Sequence, residues 1–117
     1  MMNDISLADW RVRLAWKPFL ESDSGIYTYS SAAHYISKVA QYIKLTIVAE
    51  QEVVPMLLPN CSEFVLVLLG ILAAGKIPYP IQPTCKPDEY RSKTRGMNEV
   101  QAAICHESSY EVISMML

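Results

Sequence analysis

An uncharged stretch of eleven residues, Phe64 to Ala74, most constrains what this chain of 117 residues can fold into. A helix that crosses a bilayer needs about 20 apolar residues, whereas runs of about 10–14 usually lie in a protein core. Glu63 and Lys76 bracket the stretch, which is therefore too short to span a membrane. Because a helix that is apolar on nearly all sides is buried on nearly all sides, we predict a central core helix over residues 61–74.

The flanks of this stretch are typical of a helix in a soluble protein. Asn60 or Ser62 can cap the N-terminus, and Asn60 with Glu63 has the spacing of a capping box. Gly75 stands where a left-handed C-terminal cap is expected, and Pro78 follows shortly after it. The sequence therefore predicts both ends of the helix.

Composition and charge set the class of protein. Hydrophobic residues make up 51% of the chain, which suits one small domain with a core. The net charge of -2 argues against a nucleic-acid partner, which usually requires a basic face. The basic residues of one local cluster alternate with Asp88 and Glu89, so we interpret the cluster as a solvated helix face and a phosphate contact as the minority alternative. Its members are Lys86, Arg91, Lys93 and Arg95.

Cysteine usage and the first residues predict the compartment. The start "MMNDISLADW" lacks the basic and apolar regions of a signal peptide. Cys61, Cys85 and Cys105 form no CxxC pair, which favours neither a zinc site nor a disulfide framework. We expect reduced, mostly buried thiols in a cytoplasmic protein. Cys61 lies at a helix start, where thiols can be reactive, but packing at the edge of a core is the preferred interpretation.

Secondary-structure signals alternate along the chain. Residues 1–24 are interpreted as a helical lead-in, with an amphipathic helix that ends near Pro18 and then the turn "ESDSG". The segment "IYTYS" predicts a strand. A helical repeat of apolar residues predicts an amphipathic helix over 31–44, capped by Ser30.

The second half continues the alternation. "EVVPMLL" predicts a buried strand, in which Pro55 requires either an edge position or a bulge because proline cannot donate to a ladder. After the core helix come a short strand in "KIPYPIQP", a polar helix in "KPDEYRSKTRGMNEV", a strand in "QAAICH" and a helix in "SSYEVISMML". Alternating strands and helices predict an α/β fold with a short parallel sheet flanked by helices.

The motifs that mark catalytic α/β proteins are absent from the sequence. The four glycines form no GxGxxG, no GxxxxGK[ST] and no GxSxG. The histidines and acids show no metal-ligand spacing, and His34 is interpreted as a packing or surface residue. We therefore predict no catalytic, cofactor-binding or metal-binding residue in this chain.

Short motifs nevertheless follow one another in a particular order: "Y-T-Y", "L-P-N", a helix start of the "S-x-E-F" kind, "A-G" and "P-x-x-P". They lie at Tyr27 to Tyr29, Leu58 to Asn60, Ser62 to Phe64, Ala74 and Gly75, and Pro80 to Pro83. This order resembles the N-terminal part of the adenylate-forming (AMP-binding) superfamily, which includes acyl-CoA synthetases, fatty-acyl-AMP ligases, nonribosomal adenylation domains and luciferases. The similar region covers about residues 25–107.

The chain departs from the family in three respects, one of which is Pro55 within the strand. The family pattern "L-G-V-x-x-G-D" before the second strand is replaced by "LTIVAEQE", Leu45 to Glu52. Family members are also several times longer, and their phosphate loop, ribose-binding acid and lid with its catalytic lysine lie beyond this region. The resemblance implies that a full-length parent, an ATP-dependent acyl- or aryl-acid ligase, uses ATP and Mg²⁺ to form an acyl-adenylate.

Three hypotheses follow for the chain itself. It is a truncated N-terminal scaffold segment, residues 1–117, that is inactive without the rest of the ligase, or a stand-alone protein-interaction module that reuses this subdomain. A small unrelated binding domain is the weakest hypothesis. The expected partner is the remainder of the enzyme, and an uncovered apolar face or strand edge predicts a homo-oligomer.

Overall fold

The computed structural model describes residues 16–22, 25–95 and 102–105. Within them it confirms an α/β fold, in which a parallel sheet of strand order β4-β3-β5 is flanked by helices. In chain order the elements are β1 (Pro18–Ser22), β2 (Gly25–Thr28), α1 (Tyr29–Thr46), β3 (Val53–Leu57), α2 (Ser62–Ala73), β4 (Ile77–Pro80), α3 (Pro87–Thr94) and β5 (Ile104–Cys105).

The first two strands form a separate antiparallel hairpin instead of joining the parallel sheet. The expected helical lead-in is therefore wrong over β1, and the rest of the predicted amphipathic helix, up to residue 15, lies outside the described residues. Apolar packing accounts for the strand, because Phe19 and Leu20 contact the buried cluster around Ile36. The Phe19 and Tyr29 rings also meet edge to face, with centroids 5.0 Å apart.

Helix α1 has the predicted amphipathic face but begins earlier than predicted. Its buried residues recur at helical spacing and are Ala32, Ala33, Ile36, Ala40 and Ile43. The cap is Thr28 and not Ser30, because the Thr28 hydroxyl accepts from the Ser31 N–H at 3.1 Å. The Ser31 hydroxyl accepts in turn from the Thr28 N–H at 2.9 Å. A serine at the third helical position thus completes a capping box that usually has glutamate or glutamine there.

Helix α2 confirms the predicted core helix. None of its residues is exposed, and Leu66 and Ile71 are fully buried. No helix in the described part of the chain is both long and apolar enough to cross a membrane. The predicted N-terminal cap was wrong, because Cys61 occupies the cap position and its side chain makes no capping hydrogen bond.

The C-terminal end of α2 follows the prediction. Gly75 has a φ of 80°, the left-handed conformation that glycine adopts without strain. Its N–H donates to the Leu72 carbonyl at 3.0 Å, and the Lys76 N–H donates to the Ile71 carbonyl at 3.1 Å. These two bonds form a Schellman motif, which ends the helix and turns the chain into β4.

Strand β3 lies between β4 and β5 and contains the buried Pro55. Its register with β4 runs without interruption from Val53 to Met56. The prediction that Pro55 marks an edge strand or a bulge was therefore wrong. The physical reason lies in which neighbouring strand its nitrogen faces.

Main-chain bonds show the direction in which each residue of β3 points. The Met56 carbonyl accepts from Ile81 N–H beside β4, at 2.9 Å. Because alternate residues of a strand bond to opposite neighbours, the nitrogen of Pro55 faces the β5 side. Pairing with β5 begins one residue later, where Met56 lies opposite Ile104. Pro55 therefore lacks an N–H in the part of β3, before Met56, that does not pair with β5.

The two faces of the sheet are covered by different helices. One buried cluster joins α1 and α2 to the sheet through Ile43, Val54, Met56 and Ile71. On the opposite face, α3 contributes Tyr90 to a second cluster, whose buried members are Leu57, Ile81, Cys85 and Tyr90. The predicted polar helix is observed as Pro87–Thr94 and ends at Arg95, whose backbone is extended, and the rest of the prediction, residues 96–100, lies outside the described residues. The predicted helix at 108–117 lies outside the described residues.

Candidate functional site

An open groove lies at the carboxyl ends of the parallel strands, the edge of an α/β sheet where ligands usually bind. It is formed by the loops that follow β3 and β4 and by the start of α2, and its volume is about 620 Å³. We call it the carboxyl-edge groove. Its lining residues are Leu58, Pro59, Asn60, Phe64, Pro80, Ile81, Gln82 and Pro83.

The carboxyl-edge groove has little chemical capacity of its own. Its only side chains with hydrogen-bonding groups are the exposed amides of Asn60 and Gln82, and the others are apolar. An amide can donate or accept a hydrogen bond but supplies no nucleophile, general base or charge at neutral pH. The groove can therefore contact a ligand or a neighbouring surface, but its lining cannot carry out a reaction.

A second groove runs along α1 and is called the α1 groove. Two adjoining depressions of about 370 and 380 Å³ share Tyr35, Lys38 and Val39. The other lining residues are Tyr27, Ser31, His34, Tyr42, Ile43, Val67 and Ile104. The lining is mainly aromatic and aliphatic, and Lys38 brings the only full positive charge among these residues. Tyr42 is 67% exposed, so this apolar surface is open to solvent.

Tyr27 and Tyr35 of the α1 groove remain protonated at neutral pH. Burial raises the pKa of Tyr27 above its ordinary value, and the nearby Glu63 carboxylate raises it further. Burial likewise raises the pKa of Tyr35. Neither phenol is therefore poised to act as a base, and both contribute apolar surface and hydroxyl groups.

The residues that the sequence analysis singled out do not come together in one site. His34 is exposed on α1, which confirms the surface interpretation. Cys61 is exposed, so the packing interpretation was wrong for this thiol, whereas Cys85 is buried. The residues of the basic cluster are all exposed, and Arg91 lies 3.9 Å from Asp88, as expected for a solvated helix face.

Among the described residues, an extensive polar network lies at the other end of the sheet, and sequence reasoning missed it. The Gln51 side chain is fully buried and bonds to both main-chain groups of Ala102. Lys76 Nζ donates to the carbonyls of Val48 at 3.0 Å and Gln51 at 2.8 Å. The only sequence signal at this place was the departure from the family pattern between Leu45 and Glu52.

Metal ligands do not cluster in the part of the chain that the structure describes. No group of three or more histidine, cysteine, aspartate or glutamate side chains there could hold a metal ion. The adjacent Asp88 and Glu89 both lie in the first turn of α3, where negative charge complements the helix dipole.

A match to a known protein family shows which family this chain belongs to. The family model described as AMP-binding enzyme matches residues 9–109. The chain belongs to the AMP-binding enzyme family. No curated protein matches the chain in sequence. The predicted relationship to the adenylate-forming superfamily is thereby confirmed.

Solved structures agree with this AMP-binding fold. An anthranilate CoA ligase in complex with anthranoyl-AMP is 22% identical over 99% of this chain, with a TM-score of 0.79. A benzoate CoA ligase from Burkholderia xenovorans is 18% identical over 92%, with a TM-score of 0.78. A fatty acyl CoA synthetase from Mycobacterium tuberculosis is 19% identical over 93%, with a TM-score of 0.75.

The chain spans only a part of these ligases. It covers 24% of the anthranilate CoA ligase and 22% of each of the other two. At this level of identity the likeness concerns the fold, which is that of the N-terminal domain of adenylate-forming enzymes.

Proposed function

We propose that this chain is an N-terminal scaffold segment of an ATP-dependent ligase that activates a carboxylic acid as an acyl-adenylate, and that it is not catalytic alone. The observation that carries the proposal is the chemistry of the carboxyl-edge groove. The chain belongs to the AMP-binding enzyme family, yet the sheet edge where a ligand would lie offers two amides and otherwise apolar groups. The parent is proposed to act in the cytoplasm on an acyl or aryl acid.

The described residues do not fit the cofactors that the family implies. A triphosphate requires cationic groups or clustered backbone N–H donors, and Mg²⁺ requires carboxylate or phosphate oxygens. The carboxyl-edge groove has neither a lysine nor an arginine nor a carboxylate in its lining. Binding of ATP and Mg²⁺ therefore belongs to the rest of the proposed parent enzyme.

The proposed partner of this segment is the remainder of the ligase, seated on the α1 groove. An exposed apolar groove of this kind is typical of a surface that another protein segment covers. Lys38 within the lining favours an acidic group opposite it on that partner. When the 117-residue chain is isolated, we expect this surface to pair with a second copy and to form a homo-oligomer.

The alternative function, a stand-alone interaction module, rests on the same exposed groove. In that case a different protein covers the α1 groove, and no ligase activity depends on the chain. The two functions are distinguished by whether acyl-adenylate formation requires this segment.

The decisive experiment measures ATP–pyrophosphate exchange with a panel of aryl and fatty acids. The 117-residue chain alone should show no exchange, and calorimetry should show no saturable binding of Mg-ATP. The full parent enzyme should show ATP–pyrophosphate exchange. The variant Tyr42→Lys places a charge in the α1 groove and should therefore weaken the association of this segment with the rest of the parent enzyme. Saturable Mg-ATP binding to the isolated chain would contradict the scaffold proposal.

Light scattering tests the proposed self-association separately. The wild-type chain should form dimers or larger species at high concentration, and Tyr42→Lys should shift it towards the monomer. Ile26→Lys is the matched control, because Ile26 is 62% exposed but belongs to the hairpin and not to the α1 groove. A monomeric wild-type chain at high concentration would rule out pairing through this surface.

A further inference from the structure

Gln51 occupies an unusual place for a buried polar side chain. It lies in the loop before β3 and is fully buried. Its Nε2 donates to the carbonyls of Val53 at 3.0 Å and Ala102 at 2.6 Å. Its Oε1 accepts from the Ala102 N–H at 3.0 Å. The side chain therefore bonds to a strand residue on one side and to the chain just before β5 on the other.

The Gln51 amide lies where the β3–β5 ladder lacks a main-chain hydrogen bond. The nitrogen of Pro55 faces β5, and β3 first pairs with β5 at Met56 and Ile104. Continuing that parallel register by one rung would require residue 55 to donate to the Ala102 carbonyl. Proline has no N–H to donate, and Gln51 Nε2 donates to that carbonyl instead.

We propose that the Gln51 side chain replaces one rung of the β3–β5 ladder and is the element that holds the start of β5 on the sheet. We call these contacts of Gln51 with Val53 and Ala102 the Gln51 bridge. The proposal concerns a conformational device in the fold and stands independently of the proposed function. Because described β5 pairs with β3 through only two residues, loss of the bridge should release β5 while β4 stays paired.

The chemistry of the bridge requires an amide. Gln51 donates to two carbonyls and accepts from one N–H, and among neutral side chains only an amide provides two donors and an acceptor. A carboxylate accepts but cannot donate, and it would also bury a charge. Counted letter by letter from Leu45, Gln51 falls where the family pattern has its acidic residue, so the amide coincides with the departure from that pattern.

Lys76 supports the bridge from the side of β4. Its ammonium donates to the Gln51 carbonyl at 2.8 Å and to the Val48 carbonyl at 3.0 Å, which fixes the backbone of the loop. The loop is thus attached to the residue before β4 through Lys76 and to the residues before β5 through Gln51. The amino ends of all three described parallel strands are joined by these two side chains.

Amide hydrogen exchange of the 117-residue chain, resolved by residue, tests the proposal. In the wild type, the Ala102 N–H should be protected although its acceptor is a side chain. In Gln51→Leu, exchange at Ala102 and Ile104 should accelerate at least about tenfold through local opening. Exchange at Ile81, which donates to Met56 on the β4 side, should remain unchanged. Gln82→Leu is the matched control, because that glutamine is exposed.

A second variant tests the link to Pro55. Pro55→Ala restores an N–H that faces β5, so in the Gln51→Leu background it should return a part of the lost protection at Ile104. Three results would each overturn the proposal: an unprotected Ala102 in the wild type, equal acceleration at Ile81 and Ile104, or no recovery with Pro55→Ala. The wild-type measurement decides the matter even if Gln51→Leu does not fold.

Discussion

The two ends of the parallel sheet differ in where polar side chains are placed. At the carboxyl end, Asn60 and Gln82 are exposed in an otherwise apolar groove. At the amino end, Gln51 is buried with its amide bonded on both sides, and Lys76 donates to two carbonyls. Two glutamines thus lie at opposite ends of one small sheet in opposite environments.

This difference indicates what the segment contributes to its family. In open α/β sheets the carboxyl end usually carries the ligand-binding residues, yet here the polar groups that make several bonds lie at the amino end. Buried, satisfied polar networks make a structure rigid and unique. The segment therefore uses its polar chemistry to hold strands together, which supports its proposed role as a scaffold.

The largest expected effect comes from exchanging the two glutamines for leucine, one at a time. Gln51→Leu leaves the N–H and carbonyl of Ala102 without their partner. It should therefore lower the free energy of unfolding by about 2 kcal/mol, because an orphaned buried group costs about 1–3 kcal/mol and the two groups of Ala102 are partly buried. Gln82→Leu should stay within about 0.5 kcal/mol, as expected for an exposed site. Urea denaturation of both variants measures the difference, and equal losses would remove the contrast between the two ends.

A substitution at Gly70 should weaken both ends of the sheet together. A Cβ at this position in α2 would lie 2.5 Å from Val39 Cγ1 and 2.7 Å from Val39 Cβ in α1. We expect Gly70→Ala to lower the free energy of unfolding by about 1–2 kcal/mol, because overpacking costs more than the gain in helix propensity returns. Val39→Ala in the same chain should recover a part of this loss. An unchanged unfolding midpoint would show that the two helices can separate freely.

The N-terminal caps of α1, beside the hairpin, and of α2, beside the carboxyl-edge groove, should differ less in their contribution to the free energy of unfolding. Thr28→Ala removes the observed capping box of α1 and should cost about 1 kcal/mol. Asn60→Ala removes the cap predicted from the sequence, but the cap of α2 is Cys61 without a side-chain bond. Its expected effect on thermal unfolding is therefore near zero. A loss as large as that of Thr28→Ala would restore the sequence-based assignment.

The smallest expected effect is the change in stability with pH that the two less accessible thiols, Cys85 and Cys105, cause. Burial raises the pKa of Cys85, with a further contribution from Glu89, and burial raises the pKa of Cys105. Because these folded pKa values lie above the unfolded ones, their stabilising contribution is present below the unfolded cysteine pKa of about 8.5 and is lost as pH rises above it. Unfolding midpoints should therefore decline slightly between about pH 8 and pH 10.

Thiol labelling provides the control for this pH dependence. Cys61 is exposed, so a maleimide should modify it well before Cys85. The Cys85→Ser variant should show a shallower alkaline decline than the wild type. A decline that is unaffected by this substitution would assign it to other groups, such as the buried Tyr90, whose pKa burial also raises.

The sequence by itself determined the fold class and the main helices. The uncharged run at Phe64 to Ala74 identified α2, and the helical repeat identified the buried face of α1. These patterns are reliable because periodicity follows directly from the burial of one face. The order of short motifs indicated the AMP-binding family, and Gly75 indicated the end of α2 because its positive φ favours glycine.

Only the tertiary structure decided which polar residues matter. Asn60, Ser62 and Ser30 were all suitable caps by residue type, but a cap also requires the local backbone geometry, and Thr28 and Cys61 hold those positions instead. The role of Gln51 had no direct signal in sequence, beyond the departure from the family pattern, because its partner Ala102 is distant in the chain. Pro55 was acceptable in a central strand because its nitrogen faces the rung that Gln51 replaces, and such pairing between distant segments exists only once the sheet is formed.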